Sequence, residues 1–260
     1  MRNIPFISDL LRYIRAYFKA ARRPQKNTLG FYINGDSDQS KGVYEIEVAK
    51  FLNSNSRHYD RIINIGANIG YWPLFLKNIN FAGKIDAIEP DYFNFKQLIR
   101  NIEYNNFTEI TVYKKAVSNA YKRIKLYGFG TGISSLAGWA GGFSRRQQQV
   151  ECVKLDDFYE NDSKTLLIID VEGAELDVLQ SGENFLNSST DVLVEISLVD
   201  HIPAGYITNP NFYKTFEFMR NYKYNSFAWL NELSLLNESS IQQIASGKIV
   251  PSIQMYYFKK

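Results

Sequence analysis

Short apolar runs alternate with longer segments of helical periodicity along most of the chain. The runs are RIINI, KIDAIE, EITVYKKAV, TLLIIDV and DVLVEIS, and each has about the length of one strand. Between several of them, as in PDYFNFKQLIRNIEYNN and AELDVLQSGENFL, apolar residues recur at helical spacing. Strands that alternate with helices of this length are typical of β-α-β units, so the pattern predicts an α/β fold with a mostly parallel sheet.

Two segments depart from this alternation. Residues 121–155 predict short strands that flank a glycine-rich loop. The segments YNSFAWLNELSLLN and SIQMYYFKK predict two final strands around the short helix SSIQQIASG.

The amino-terminal segment has the pattern of a basic amphipathic helix. Its apolar residues at helical spacing are Ile7, Leu10, Leu11, Ile14, Tyr17 and Phe18, and its basic residues are Arg12, Arg15, Lys19, Arg22 and Arg23. We predict a helix and linker over residues 1–42 and the main domain over residues 43–260. Such a helix can pack against the domain or a second copy of the chain, or lie on an anionic membrane surface. Packing is the favoured interpretation, while peripheral membrane contact and a homodimer stay open.

Composition narrows the classes of protein. Of the 260 residues, 45% are hydrophobic and 22% are charged, enough apolar residues for a sizeable core. The net charge of +3 is too small to argue for nucleic acid as a partner. The single cysteine, Cys152, excludes an internal disulfide and suits the reducing cytosol. No apolar run reaches the roughly 18 residues of a membrane-spanning helix. We therefore expect a cytoplasmic protein that does not bind nucleic acid.

Glycines and carboxylates follow the predicted strands at the edge where open parallel sheets bind ligands. The first strand ends in the turn Gly66-Ala67-Asn68-Ile69-Gly70, which a tight connection alone would explain. Glu89 follows the next strand about twenty residues later, the interval at which nucleotide-binding folds place an acid for ribose hydroxyls. Asp170, Glu172 and Glu195 follow two later strands. These carboxylates favour a ligand site over a structural turn.

The glycine pattern restricts the ligand. A dinucleotide fingerprint needs G-x-G-x-x-G, whereas this turn offers Gly66 and Gly70 with Asn68 between them. Asn tolerates the left-handed conformation that a glycine would otherwise adopt. The sequence also contains no G-x-x-x-x-G-K-[ST] phosphate loop. We therefore expect a nucleoside ligand without a diphosphate.

These motifs together resemble one protein family. The segments INIGANIGYWPLFL, AIEPDYFNFKQLIRNIEYNN, KKAVS, VKLDDF, IIDVEGAELDVL and VLVEIS, in that order, are similar to the FkbM family of S-adenosylmethionine-dependent methyltransferases. The resemblance covers roughly residues 43–200. It implies the class I methyltransferase fold, a Rossmann-like seven-stranded mostly parallel sheet with helices on both faces and an antiparallel last strand. It also implies O-methylation, often of sugars or polyketides.

The resemblance further implies roles for particular residues. The cofactor-binding residues would be Asn64, Gly66, Ala67, Asn68 and Gly70 around the methionine part, Glu89 at the ribose, Ala116 and Val117 at the adenine, and Asp170 and Glu172 at the transferred methyl. Asn64 departs from the family pattern, which usually has an acid at this position. Asn keeps the hydrogen bonding and loses the charge, which Asp170 could supply.

Methylation of a hydroxyl benefits from a base that takes its proton. The candidates are Glu172, Asp170, Glu195 and His201. For Glu172 the alternative is a carboxylate that hydrogen-bonds the backbone at the next helix, and for His201 it is a histidine that packs a loop. The two histidines, His58 and His201, lie far apart in the sequence and give no zinc-type spacing, so no metal site is predicted.

The loop GFGTGISSLAGWAGGFSRR is a candidate lid. Trp139 and Phe143 could cover a sugar ring while Arg145 and Arg146 meet phosphate or carboxylate. A surface loop anchored by its aromatic residues explains the same sequence equally well.

The predicted activity is therefore methyl transfer to a hydroxyl of a sugar, glycan or other small metabolite. Other acceptor classes and a non-catalytic Rossmann-like binding module are the alternatives. A nucleic-acid methyltransferase that acts on exocyclic amines is expected to carry N-P-P-[YF] after the fourth strand, where this chain has DVEGAE.

Overall fold

The computed structural model describes residues 6–119, 122–127, 147–161, 163–199 and 209–260. The helices are α1 (Phe6–Ala21), α2 (Ser37–Lys41), α3 (Ile46–Asn55), α4 (Tyr71–Asn78), α5 (Tyr92–Tyr104), α6 (Glu175–Gln180), α7 (Glu183–Asn187), α8 (Phe212–Asn221) and α9 (Glu238–Ala245), with single 3-10 turns at Ser56–His58 and Leu155–Phe158. The strands are β1 (Gln25–Lys26), β2 (Tyr32–Ile33), β3 (Arg61–Ile65), β4 (Lys84–Ile88), β5 (Ile110–Tyr113), β6 (Ala116–Val117), β7 (Lys122–Tyr127), β8 (Gln147–Val153), β9 (Thr165–Ile169), β10 (Asp191–Glu195), β11 (Asn225–Trp229), β12 (Leu233–Leu235) and β13 (Met255–Lys259).

The main sheet confirms the predicted α/β architecture. Its strand order is β12-β11-β13-β10-β9-β3-β4-β5 in the part of the chain that the structure describes. The strands β5, β4, β3, β9 and β10 run parallel to their neighbours in this group, and β13 runs antiparallel between β10 and β11. Because β4 and β5 follow β3 on one side and β9 and β10 lie on the other, the strand order reverses between β3 and β9. This reversal is where open α/β sheets bind ligands.

The sheet has eight described strands, so the expected count of seven was wrong. The segment predicted as one strand, YNSFAWLNELSLLN, is the hairpin of β11 and β12. The polar residues Asn231 and Glu232 lie between its two strands, and the Leu230 amide donates to the Glu232 carbonyl at 3.0 Å across the turn. The second strand extends the sheet at its edge and leaves the order of the other seven unchanged.

Helices cover both faces of the sheet, as predicted. Ile62 of β3 belongs to a core with residues of α3, α4 and α5, whereas Ile63 and Ile65 belong to a second core with residues of α6, α8 and α9. All five residues of β3 are buried, because a central parallel strand packs against helices on both sides.

A smaller sheet of order β6-β8-β7 lies beside the main one. The antiparallel pair β7 and β8 confirms the short strands predicted within residues 121–155. Cys152 is buried in β8 opposite Ala116. The candidate lid with Trp139, Phe143, Arg145 and Arg146 lies outside the described residues.

The amino-terminal helix α1 packs against α5, as the favoured interpretation requires. The Tyr13 ring meets the Phe93 ring edge-on with centroids 5.3 Å apart, and Arg100 donates to the Ala21 carbonyl at 2.6 Å. The helix nevertheless leaves apolar side chains exposed, among them Leu11 at 49% and Phe18 at 61%. None of the helices in the described ranges is both long and apolar enough to cross a membrane.

Candidate functional site

The turn after β3 lies tightly against the loop after β9. The last paired residues of these strands are Ile65 and Ile169, and the Asp170 amide donates to the Ile65 carbonyl at 3.0 Å. Gly66 has a φ of +80°, and a β-carbon there would lie 1.7 Å from the Asp170 carbonyl oxygen. Only glycine fits this position, so Gly66 has a structural reason to be present whatever binds nearby.

The rest of the turn starts α4. Asn68 adopts the left-handed conformation with a φ of +52°, as expected for an asparagine in place of a glycine. Gly70 has a φ of +91°, and a β-carbon there would lie 2.5 Å from the Leu98 side chain. The amides of Gly66 and Ala67 both donate to the Ile88 carbonyl at 2.9 Å, so backbone hydrogen bonds hold the turn against the end of β4.

Glu89 fixes the shape of this turn. It follows β4, is buried, and accepts a hydrogen bond from the Asn68 amide at 2.7 Å through Oε2 and from the Asp91 amide at 2.8 Å through Oε1. Burial and then the nearby charge of Asp91 raise the pKa of Glu89 to about 8, in spite of these hydrogen bonds. The Asn94 side chain gives this carboxylate a third hydrogen bond, which leaves one of its four lone-pair sites for a hydroxyl group.

Most of the residues predicted to bind the cofactor line one crevice at the reversal point of the sheet. Its lining includes Gly66, Asn68, Glu89, Ala116, Val117, Asp170 and Glu172, together with the apolar side chains of Ile65, Ile88, Leu126 and Val171. Its empty volume, part of it open to solvent, is about 570 Å³, within the usual range of small-ligand sites. We call it the cofactor crevice.

The cofactor crevice fits a nucleoside. Asn68 and Asn94 both line the crevice. Their side-chain oxygens are buried and have no hydrogen-bond partner among the described residues. Unsatisfied buried acceptors of this kind are costly unless a ligand or water donates to them. Beside them, the apolar side chains of Val117 and Leu126 offer a surface for a base.

Three of the predicted site residues, Asn64, Ala67 and Gly70, do not line the crevice, and a fourth, His201, lies outside the described residues. Asn64 is buried below the crevice, where its side-chain amide donates to the Ile168 carbonyl at 3.4 Å. Ala67 and Gly70 belong to the turn but are not among the residues that line the crevice.

Asp170 forms a hydrogen bond with Glu195, the last residue of β10. Two carboxyl groups can share a hydrogen bond only if one of them carries a proton. Desolvation, followed by the charges of Glu195, Glu172 and Glu45, raises the pKa of Asp170 well above its usual range. The pair therefore holds a proton at a pH where exposed carboxyl groups are ionised.

Glu45 is the residue of this cluster that sequence analysis missed. It precedes α3 in a left-handed conformation with a φ of +41°. Burial, and then the charge of Glu195, raises its pKa to about 7. Its buried Oε2 atom has no hydrogen-bond partner in the described part of the chain. Glu45 lies more than 100 residues before Asp170 in the sequence, and no motif surrounds it that would have linked the two.

Glu172 lies two residues before Ala174, the N-cap of α6, and no described side chain caps this helix. The Glu175 carboxylate accepts from the Gly173 amide at 2.7 Å, just before the helix begins. Glu172 has a φ of +54° and lines the cofactor crevice. Among the described residues, no three acidic, histidine or cysteine side chains are arranged to hold a metal ion.

Comparisons with solved structures give distant similarities. Precorrin-6y C5,15-methyltransferase from Geobacter metallireducens is 14% identical over 88% of this chain and 98% of its own, with a TM-score of 0.46. P. horikoshii TYW2 in complex with MeSAdo is 14% identical over 90% and 68%, with a TM-score of 0.42. The N-terminal domain of human METTL16 in complex with SAH is 12% identical over 96% and 94%, with a TM-score of 0.39. No curated protein sequence matches the chain significantly.

A comparison with models of protein families identifies the family of this chain. The methyltransferase FkbM domain matches residues 64–226, which is more than half of the chain and includes the turn after β3, Glu89, Asp170 and Glu195. The chain therefore belongs to the FkbM family of methyltransferases, and it is an enzyme whose methyl donor is S-adenosylmethionine.

Proposed function

We propose that the enzyme methylates a hydroxyl group of a sugar, glycan or other small metabolite. The observation that supports this proposal is the hydrogen-bonded carboxyl pair of Asp170 and Glu195 beside the cofactor crevice. A hydroxyl is a weak nucleophile until a base takes its proton, and a carboxyl pair that already shares one proton still has one carboxylate free to do so.

The residues of the cofactor crevice would hold the methyl donor. Glu89 would accept from a ribose hydroxyl, Asn68 would present its amide oxygen, and Val117 would pack against the adenine. When bound, S-adenosylmethionine supplies a methyl group on a positively charged sulfur, which leaves as a neutral thioether when the acceptor oxygen takes the methyl. The protein contributes mainly by orienting the acceptor and by holding its proton.

The pair of Asp170 and Glu195 is the base that this geometry favours, with Asp170 as the member that borders the crevice, and Glu172 is the alternative. Asp170 lies between the cofactor crevice and Glu195, while Glu172 lies at the crevice only. Asp170→Asn and Glu172→Gln each keep the side-chain size and remove the basic oxygen, so the two variants form a matched pair.

The test is turnover with S-adenosylmethionine and a panel of sugars, nucleotide sugars, glycans and simple alcohols, followed by mass spectrometry of the product. General-base catalysis contributes roughly 10²–10⁴-fold, so Asp170→Asn should lower turnover at least about a hundredfold. Glu172→Gln should lower it less than about tenfold, with the affinity for S-adenosylhomocysteine nearly unchanged in both variants. The reverse ranking would make Glu172 the base. Methylation of nitrogen or carbon acceptors alone would refute the proposed O-methylation, and binding without any turnover would indicate a binding module.

The exposed face of α1 supports a further proposal, that the cytoplasmic enzyme makes peripheral contact with an anionic membrane. Leu11, Ile14, Tyr17 and Phe18 are exposed on a helix that also carries several arginine and lysine residues. The surface of an anionic membrane binds such helices, because the apolar side chains enter the lipid and the cations contact the charged headgroups. A second copy of the chain could cover the same face, and the vesicle experiment in the Discussion distinguishes the two.

A further inference from the structure

A second cavity opens at the same edge of the sheet, next to the carboxyl pair. Glu45 and Glu195 lie among its lining residues, and most of the rest are aliphatic, among them Leu198, Ile249 and Val250. Its empty volume, part of it open to solvent, is about 1000 Å³. This is room for a molecule of metabolite size.

One hydrogen-bonded pair of carboxyl groups connects the cavity with the cofactor crevice. Asp170 lines the crevice, Glu195 lines the cavity, and the two carboxyl groups are hydrogen-bonded to each other. A molecule that occupies the cavity and reaches Glu195 is therefore next to the residue that borders the bound cofactor. Methyl transfer needs this adjacency, because the acceptor oxygen must approach the methyl group directly.

One carboxylate oxygen of Glu45, which lines the cavity, lacks a hydrogen-bond donor from the described part of the chain. Its Oε2 atom is buried and has no partner among the described residues. The Tyr44 side chain hydrogen-bonds the same carboxylate and leaves the Oε2 atom unsatisfied. The residue is also held in a left-handed conformation, which is strained for a residue other than glycine. Strain together with an unsatisfied carboxylate oxygen is typical of a functional position. A hydroxyl group would supply the missing donor.

Most of the described residues that line the cavity offer no side-chain hydrogen bond. Apart from the two carboxylates, the polar side chains in this lining are those of Ser252, Gln254 and Tyr256. Gln254 already accepts from the Leu198 amide at 3.1 Å, and the Ser252 hydroxyl donates to the Trp229 carbonyl at 3.1 Å. A molecule with hydroxyl groups on all sides would lose the hydrogen bonds that water makes to several of them, and the cavity would not replace those hydrogen bonds. An aliphatic part of a molecule makes no hydrogen bonds with water, so it loses none when it packs against Ile249 or Val250.

We propose that this cavity, the acceptor cavity, binds the methyl acceptor and that the acceptor is an alcohol whose hydroxyl adjoins an aliphatic body. The hydroxyl lies at Glu45 and Glu195, and the aliphatic body lies against Leu198, Ile249 and Val250. The proposal rests on the proposed O-methyl transfer, and it narrows the acceptors to alcohols of this kind in place of free polyhydroxylated sugars.

The test measures binding of a probe alcohol to the full chain in the presence of S-adenosylhomocysteine. The probe is 4-tert-butylcyclohexanol, the polar comparison is methyl α-D-glucopyranoside, and binding is followed by ligand-observed NMR. Val250→Trp narrows the cavity at a side chain that is 79% exposed, so the fold should tolerate it. Leu235→Trp is the matched control, because Leu235 is 62% exposed on β12 and is not among the cavity residues.

The alcohol should bind to the wild type and to Leu235→Trp, and Val250→Trp should weaken its binding at least about tenfold, or roughly 1.4 kcal/mol. Glu45→Gln should weaken it in the same direction while the affinity for S-adenosylhomocysteine stays the same. Equal binding to Val250→Trp, or a glucopyranoside that binds as tightly as the alcohol, overturns the proposal. Failure of the proposed O-methyl transfer would look different: the alcohol would bind in the cavity, and no hydroxyl in the turnover panel would be methylated.

Discussion

Ionisation of Glu89 should control binding of the nucleoside. The carboxylate is buried with a pKa of about 8, and only its ionised form can accept from a ribose hydroxyl while it keeps its hydrogen bonds from Asn68, Asp91 and Asn94. With that pKa, roughly 1% of the group is ionised at pH 6 and roughly 90% at pH 9. If binding requires the ionised form, affinity should rise about ninety-fold over this range, equal to about 2.7 kcal/mol.

The assay is calorimetric titration with 5′-methylthioadenosine, which keeps the nucleoside and has no amine that titrates in this range. Repeating the titration in buffers of different ionisation enthalpy measures the proton that Glu89 releases on binding. Glu89→Gln is the control, because it cannot ionise and should bind weakly at every pH. A flat affinity in the wild type, or the same slope in Glu89→Gln, would refute the assignment of Glu89 to the ribose.

Three further predictions follow from the same structure. Gly66→Ala should lower the free energy of unfolding by about 2 kcal/mol or more, because its β-carbon would lie 1.7 Å from a backbone carbonyl oxygen. Gly247→Ala, with a φ of +72° and nothing within 4 Å, should cost only about 1 kcal/mol in the same urea denaturation, and equal costs would contradict the argument. The thermal midpoint of the unliganded protein should fall as the pH rises from about 5 to 8. The reason is that the pKa values of Glu45 (about 7) and Glu175 (about 8) are raised above 4.5 in the folded state. The folded state therefore binds more protons than the unfolded state over this range and loses stability as they dissociate. A midpoint that rises with pH would contradict these raised pKa values. Phe18→Ser should weaken co-sedimentation with phosphatidylserine vesicles without changing the midpoint, whereas a change in oligomeric state with unchanged sedimentation would favour a second copy as the partner.

Much of the fold could be predicted because its signals are local. Each central strand is a short apolar run, and β3 is buried on both faces as such runs predict. The hairpin of β11 and β12 escaped detection because Asn231 and Glu232 are the only polar residues of its turn, within a segment that is otherwise rich in apolar residues. Neither residue is a glycine or proline, which are the strongest turn signals.

Many residues of the cofactor crevice could be predicted from the sequence, and Glu45 could not. Glu89 and the Gly66 turn lie at fixed distances from strands, so spacing alone placed them at one edge. Glu45 reaches the same edge through the packing of α3, a tertiary contact that leaves no local pattern. Asn64 stays a prediction: its position in the motif suggested a ligand contact, and the structure buries it in β3 with no partner for its Oδ1 atom among the described residues.

The position of β13 has a consequence for how the chain is made. This strand is synthesised after β11 and β12, yet it lies between β10 and β11 and supplies the hydrogen bonds that join them. During translation, the hairpin of β11 and β12 therefore has no place in the sheet, and the outer edge of β10 is unpaired until β13 emerges from the ribosome. An unpaired strand edge attracts other chains, so this interval is when a nascent enzyme molecule is most exposed to aggregation and to chaperones.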